Sequence, residues 1–404
     1  MRSLSLIAAI ALVGSTVSAA PRQVNKTTNN NNGVLHSINM AYVDGQYILP
    51  INVGTPGQGP INVILDTGSD LSWVPGPGAC EDCISEYKPC ASSTAVKDGD
   101  EPVFVDYGDG QCVTVDKYKD VLSLHGADDL KFQSFPVGAA SAIAGFEPGS
   151  TVGYFGLGNP DALDAIRCAV QIEADVSGGK KKRQVNNGSG DIGSRRRPPR
   201  RGHRISERWD DVESAVLTIG IDHTAYRGDL YYFNLPASEA DCENRSIFWR
   251  TALTSVSLKD EHTCKLLSQS YAKFATGTRA ISGPPVHTDM LHAKFDASYN
   301  PSENRYEFQC SKLDSIPELE FRFENYQINL PAKVWTAQVD PSDTSRTCKC
   351  YTHIQRASDE SKEWTLGTIV LDEFYQAWEQ STLRVGLGYL VDGSDNGATI
   401  TNIQ

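Results

Sequence analysis

The stretch Ile64–Val74, with the sequence ILDTGSDLSWV, constrains this chain more than any other feature. An apolar run brings Asp66 to the end of a predicted strand, and Gly68 permits the turn that follows. Ser69 places a hydroxyl beside the carboxylate, and a second apolar run leads away through Trp73. The pattern predicts one oriented carboxylate, presented at the end of a strand.

An Asp-Thr-Gly triplet alone occurs by chance in many proteins, so its surroundings matter. Tyr47 and the turn sequence GTPGQ at 54–58 precede it, and Trp73 lies seven residues after Asp66. With these features the chain resembles the pepsin-like aspartic peptidases. The resemblance implies a mostly β, bilobal pepsin-like (acid protease) fold with a cleft between two β-rich lobes. It also implies a peptide or protein ligand in the cleft, with no cofactor and no metal.

The chemistry of that family needs a second aspartate, and the matching stretch is AKFATGTRAISGP at 272–284. The position of the second aspartate holds Ala275. Two carboxylates that share one proton divide the roles of base and acid, so a lone Asp66 predicts at most a trace of activity. The resemblance places Gly68, Ser69, Gly277, Thr278 and Arg279 at the cleft. Arg279 either lies against Asp66 as a counter-ion or points into solvent.

The segment FVDYGDG at 104–110 predicts a strand that runs into a glycine-rich hairpin tip. In the resembling family this hairpin is the flap that closes over the bound peptide, and its tyrosine can hydrogen-bond a tryptophan. Tyr107, Gly108 and Trp73 are the residues so implied. The simpler interpretation is an ordinary hairpin with one aromatic residue.

No other carboxylate is an obvious substitute for the missing one. Asp289 and Asp372 fall on predicted helices beyond their loops, and Asp70 is too close to Asp66 in sequence to face it across a cleft. Two interpretations follow. Either the protein kept the cleft and lost most catalysis, or it is an aspartic endopeptidase active at acid pH through Asp66 and an unidentified second group.

Two apolar-apolar-glycine segments, at 154–158 and 364–367, match those that pack beneath the two catalytic loops in the resembling family. The second is followed by two departures from the family pattern, Thr368 for Asp and Glu379 for Asp. Asn159–Ala169 is a predicted short helix.

The ends of the chain predict a secreted protein. Arg2, an apolar run and small residues before position 20 are typical of a signal peptide. No other stretch reaches the roughly 20 apolar residues of a membrane helix. The predicted organisation is a signal peptide at 1–19, a flexible leader at 20–40, an N-terminal lobe at 41–236 with a basic disordered insert at 178–210, a C-terminal lobe at 237–391 and a tail at 392–404. The short leader also favours lost activity.

Charge is distributed unevenly along the chain. Lys180–Arg208 holds 11 Lys or Arg against two acidic residues, a net charge of +9. The remainder therefore carries −22 against the total of −13, which argues against nucleic acid as a partner. We expect a monomer without membrane attachment. Sequons at Asn25, Asn187 and Asn244 are compatible with a secreted glycoprotein.

Ten cysteines fit an oxidising compartment, where most of them are expected to pair. The family resemblance implies one bridge near the early cluster of Cys80, Cys83, Cys90 and Cys112, and one from Cys310 to either Cys348 or Cys350. A zinc site at Cys80-x-x-Cys83 is the rival interpretation, but no second Cys-x-x-Cys accompanies it.

Overall fold

The computed structural model describes residues 9–15, 28–30, 33–158, 192–193, 213–235, 249–259 and 264–403, with short gaps inside several of these ranges. The described residues form three β-sheets and a few short helices. The predicted mostly β, bilobal pepsin-like fold is confirmed.

The largest sheet has 16 strands and carries the first lobe. Numbered in chain order along the whole protein, its strands are β1 Ala9–Ser15, β2 Thr28–Asn30, β3 Gly33–Val43, β4 Gln46–Val53, β5 Gln58–Asp66, β6 Trp73–Pro75, β7 Val96–Lys97, β8 Val103–Asp106, β9 Cys112–Leu124, β10 Ala127–Ala144, β11 Tyr154–Gly156, β12 Ile192–Gly193, β13 Glu213–Ile219, β14 Tyr226–Asn234, β26 Phe374–Glu379 and β27 Arg384–Leu390. Because β26 and β27 come from the end of the chain and pair beside β14, this sheet joins the two lobes.

The second lobe contains the other two sheets. The eight-stranded sheet comprises β15 Arg250–Leu258, β16 Cys264–Phe274, β17 Ile281–Gly283, β20 Leu319–Phe323, β21 Tyr326–Leu330, β24 Ile354–Arg356, β25 Trp364–Leu366 and β28 Thr399–Asn402. The four-stranded sheet comprises β18 Ser298–Asn300, β19 Arg305–Gln309, β22 Thr336–Gln338 and β23 Lys349–Thr352. The α-helices are α1 Pro285–Ala293, α2 Ala332–Trp335 and α3 Thr368–Leu371, with 3₁₀ turns at Pro89–Ala91 and Cys310–Ser315. Within the described ranges, no helix has the length and apolar character needed to cross a membrane.

Strand β5 is held in the middle of the first lobe and delivers Asp66 at its end. It pairs antiparallel with β4 and parallel with β11, so that Gly156 lies opposite Asp66. The Leu157 N–H donates to the Asp66 carbonyl at 2.8 Å. The apolar side chains of β5 are buried because both neighbouring strands cover them.

Strand β16 is built into the second lobe in the same way. It pairs parallel with β25, with Phe274 opposite Leu366, and the Ala275 N–H donates to the Leu366 carbonyl at 3.1 Å. Each site loop is therefore supported by a strand of the apolar-apolar-glycine type, as expected from the sequence.

Strands also occur in segments for which the sequence predicted no part in the fold. The predicted flexible leader at 20–40 contains β2 and residues 33–40 of β3, which pair with each other, and β3 also pairs with β13. The backbone of β1, inside the predicted signal peptide, pairs with β13 and β26. Strand β12 is the described part of the predicted basic insert and pairs with β13. The rest of that insert, the predicted helix at 159–169 and the three sequons lie outside the described residues.

Disulfides join Cys80 to Cys83 and Cys310 to Cys350. The predicted bridge from Cys310 is confirmed, and the structure selects Cys350 over Cys348. The bridge between Cys80 and Cys83 takes up both thiols of the rival zinc interpretation. Among the described cysteines, those that are free are Cys90, Cys112 and Cys348.

Candidate active site

The loops that follow β5 and β16 meet face to face at the interface of the two lobes. The Thr67 N–H donates to the Thr276 hydroxyl at 3.1 Å, and the Thr276 N–H donates to the Thr67 hydroxyl at 3.1 Å. The Thr67 hydroxyl also donates to the Phe274 carbonyl at 3.1 Å, and the Thr276 hydroxyl to the Leu65 carbonyl at 2.7 Å. Both threonines are fully buried. The two loops are thus equivalent in geometry, and Ala275 is the counterpart of Asp66.

The Asp66 carboxylate is oriented by three donors. Oδ1 accepts from the Gly68 N–H at 2.6 Å and the Gly277 N–H at 3.1 Å, and Oδ2 accepts from the Ser69 hydroxyl at 2.5 Å. Only 6% of Asp66 is exposed. These hydrogen bonds fix the orientation of the buried carboxylate.

Glycine is required where the two loops approach this carboxylate. A Cβ on Gly277 would lie 2.3 Å from the Asp66 carboxyl carbon, closer than any side chain tolerates. A Cβ on Gly68 would lie 2.9 Å from Asp66 Oδ1 and 3.2 Å from the Ala275 methyl. The sequence placed both glycines at the cleft, and the structure brings both into contact with Asp66.

Across from Asp66 the second loop offers only a methyl group. Ala275 is 4% exposed. The carboxylate of Asp289 accepts from Arg356 at 2.7 Å and from Tyr306, well along α1. Asp70 is exposed. Asp289 is therefore held by two residues of the second lobe, Tyr306 and Arg356.

Asp372, the third carboxylate considered, is buried directly after α3. It accepts hydrogen bonds from the Tyr47 hydroxyl at 2.6 Å and from the Tyr42 hydroxyl. These tyrosines come from β4 and β3, more than 300 residues away in sequence. Asp372 therefore joins the two lobes and is not available at the site.

The predicted flap has the expected geometry. Strands β8 and β9 form an antiparallel hairpin, and the Trp73 indole N–H donates to the Tyr107 hydroxyl at 2.6 Å. The Tyr107 ring stacks on Tyr154, with ring centroids 4.9 Å apart, and Phe146 packs edge-on against it. Burial among these rings raises the pKa of Tyr107, so it stays protonated. Gly108 lies outside the described residues.

Arg279 does not lie against Asp66. Its side chain is exposed, and its aliphatic part covers Gly45, where an added Cβ would lie 2.6 Å from the arginine Cδ. The described ion pairs include none between Arg279 and Asp66. Burial, and secondly the nearby Arg279 cation, lowers the pKa of His353 to about 4. Of the two predicted alternatives, the structure supports an exposed Arg279.

The two departures after the second site loop are accommodated by hydrogen bonds. The buried Thr368 hydroxyl donates to the Gly45 carbonyl, and its N–H donates to the Thr278 carbonyl at 2.9 Å. Buried Glu379 accepts from Arg384 Nε at 2.5 Å and from a neighbouring threonine. Thr278 therefore contributes its backbone carbonyl to a hydrogen bond with Thr368. Thr368 in turn links the second site loop to Gly45 of the first lobe.

One residue beside the site was missed by the sequence argument. Lys273 lies on β16, and its Nζ donates to the Gly68 carbonyl at 2.8 Å. A signal for it was present, because a lysine stands between buried Ala272 and Phe274, two residues before Ala275. Side chains two apart on a strand point to the same face.

Comparison with known proteins agrees with this geometry. The eukaryotic aspartyl protease family matches residues 46–169 and 206–390, which include both site loops. Pepsin A of Sus scrofa is 27% identical over 350 residues, covering 86% of this chain and 82% of that protein. The vacuolar aspartic protease of Candida albicans is 26% identical over 357 residues, covering 86% and 75%. Gastricsin of Macaca fuscata fuscata is 23% identical over 360 residues, covering 86% and 84%. On the extent of the family match and the paired site loops, this chain belongs to the eukaryotic aspartyl protease family.

Proposed function

We propose that this protein is a pepsin-like aspartic peptidase homologue with little or no proteolytic activity, which retains a cleft that binds a peptide or protein. One observation carries the proposal. The reciprocal hydrogen bonds of Thr67 and Thr276 make the two site loops equivalent, and the position equivalent to Asp66 is Ala275.

The chemical reason is the need for two carboxyl groups. In a pair, one carboxylate activates water while its protonated partner polarises the scissile carbonyl. Asp66 can still act as a base, but the methyl group of Ala275 can neither donate a proton nor hold the water. Loss of general acid assistance costs roughly 10² to 10⁴ in rate, and loss of oxyanion stabilisation a comparable factor. Only a trace of hydrolysis remains on this account.

Retention of binding is supported by the parts of the cleft that are intact. Asp66 keeps its donors from Gly68, Ser69 and Gly277. The Trp73 indole N–H donates to the Tyr107 hydroxyl and so ties the flap hairpin to the strand that follows the first site loop. These groups hold a ligand by hydrogen bonds and apolar contact, neither of which needs the second carboxylate.

The test is proteolysis of a mixed peptide library between about pH 2 and 7, the range in which a shared-proton pair titrates. Neither the wild-type protein nor Asp66→Ala should cleave the library at a rate above background. Circular dichroism should show that both are folded. Efficient cleavage by the wild type that is lost in Asp66→Ala would overturn the proposal.

That same outcome would support the second candidate, an aspartic endopeptidase that hydrolyses peptide bonds at acid pH through Asp66 and a second group. The observation in its favour is that Asp66 keeps a complete set of donors while the flap contacts are retained. We rank it second because the second loop carries Ala275 at the position where the first loop carries Asp66.

We further propose that the protein is secreted as a monomer after removal of residues 1–19, with the lobe boundaries predicted above. The similar proteins include a pepsin and a vacuolar aspartic protease. Since β1 lies within 1–19, its place between β13 and β26 belongs to the uncleaved chain. N-terminal sequencing of secreted protein should begin at Ala20. A secreted chain that retains residues 9–15 would contradict this assignment.

A further inference from the structure

The second site loop differs from the first in charge as well as in the missing carboxylate. In the first lobe, Ile64 stands two residues before Asp66 and is buried. In the second lobe, Lys273 stands two residues before Ala275. Lys273 Cε and the Ala275 Cβ each lie 3.2 Å from the point that a Cβ on Gly68 would occupy, so the lysine side chain lies beside the position that a carboxylate at 275 would take.

Lys273 reaches the site itself. Its Nζ donates to the Gly68 carbonyl at 2.8 Å, and Gly68 belongs to the loop that orients Asp66. A Cβ added to Gly68 would lie 3.2 Å from the Lys273 Cε and 2.9 Å from Asp66 Oδ1. Those two atoms are therefore at most about 6 Å apart. The lysine is only partly exposed, so solvent screens its charge incompletely.

We propose that Lys273 is a second block to proteolysis, separate from the loss of the carboxylate at position 275. This inference rests on the proposed function. An ammonium within about 4–6 Å of a carboxyl group favours the ionised form. A restored aspartate at position 275 would lie close to this cation, which would favour the ionised form of the new carboxyl group. The mechanism needs one of them protonated, so the lysine opposes it.

Lys273 acts through the carboxyl groups and is therefore an electrostatic, positioning residue. It also bridges the lobes, since Lys273 and Gly68 are 205 residues apart. A purely structural role would change stability, whereas an electrostatic role changes the pH at which a restored pair holds its shared proton. These two effects separate the explanations.

The experiment compares Ala275→Asp alone with Ala275→Asp/Lys273→Ile and Ala275→Asp/Lys273→Arg. Isoleucine is chosen because Ile64 is the first-lobe counterpart, and arginine keeps the charge. Acid proteolysis of the peptide library should be at least about tenfold higher in the isoleucine double variant than in Ala275→Asp. Its activity should also persist to a pH about one unit higher. The arginine variant should behave like Ala275→Asp.

A matched control is Ala275→Asp/Lys349→Ile. Lys349 is an exposed lysine of the four-stranded sheet that pairs with Glu307, so its removal should change activity less than twofold. Binding of a statine-containing peptide gives a second readout, which should be tighter in the isoleucine variant than in Ala275→Asp even where cleavage is too slow to measure.

The proposal is overturned if Ala275→Asp equals the isoleucine variant in rate, in pH profile and in binding of the statine-containing peptide. It is also overturned if the arginine variant gains as much as the isoleucine variant. Efficient cleavage by the unmodified protein would instead refute the proposed function. An inactive wild type with a fully active Ala275→Asp would refute only the role of Lys273.

Discussion

Removing the Thr276 hydroxyl should destabilise the whole protein, because this hydroxyl joins the two lobes. It accepts from the Thr67 N–H at 3.1 Å and donates to the Leu65 carbonyl at 2.7 Å, both in the buried interior. Thr276→Ala takes these partners from two buried backbone groups. Each buried group left without a partner costs about 1–3 kcal/mol, so the expected loss in free energy of unfolding for two groups is about 2–6 kcal/mol.

Thr276→Ser is the matched control because it keeps the hydroxyl and removes one methyl group. Burial of one such carbon is worth about 0.8 kcal/mol, so the serine variant should lose about 1 kcal/mol. Thr67→Ala should resemble Thr276→Ala, since the Thr67 hydroxyl accepts from the Thr276 N–H and donates to the Phe274 carbonyl.

The assay is urea unfolding at neutral pH, followed by tryptophan fluorescence and circular dichroism. Coincident curves from the two signals would show that the lobes unfold together, as the hydrogen bonds between them imply. The reasoning fails if Thr276→Ala and Thr276→Ser are equally stable. It also fails if Thr67→Ala has no effect, because the two hydroxyls make equivalent contacts.

Three further outcomes follow from other parts of the chain. Burial lowers the pKa of His292 from 6.5 to about 4, so the folded state favours the neutral imidazole. The free energy of unfolding should therefore be greatest above pH 6.5 and fall by about 3 kcal/mol toward pH 4. Urea unfolding at several pH values should show a smaller fall for His292→Gln than for the wild type. The Cys348 thiol should react with iodoacetamide in folded protein while the bridge from Cys310 to Cys350 persists, and recovery of a Cys310–Cys348 peptide on non-reducing mapping would contradict this. Limited trypsin should cut first within Lys180–Arg208, where the basic residues are concentrated, and early cuts elsewhere would count against it.

Much of the site could be predicted because its signals are local. The turn after Asp66 depends on Gly68 and Ser69, both within three residues of it, and both do bond to the carboxylate. The hydrogen bond between Tyr107 and Trp73, which the family resemblance implied, is present. The absence of a carboxylate at position 275 is also visible in the sequence alone.

The partner of a side chain across the two lobes could not be predicted in this way. Arg279 was left between two alternatives, and its position is set by contact with Gly45, 234 residues earlier. Asp372 was assigned only to a helix, yet it is bound by Tyr42 and Tyr47. Contacts such as these depend on how the lobes are packed, which local patterns do not encode.

The sequence by itself determined the family, the mostly β fold and the oriented Asp66, because these follow from short motifs and strand periodicity. Only the tertiary structure decided that Cys310 pairs with Cys350. The Cys310 N–H donates to the Cys348 carbonyl at 3.0 Å, yet the disulfide forms with Cys350, whose Cα lies 5.0 Å from that of Cys310. Only the tertiary structure brought Lys273 to the Gly68 carbonyl. In both cases the reason is physical: the partner lies in a distant segment, and its distance is set by strand register and lobe packing.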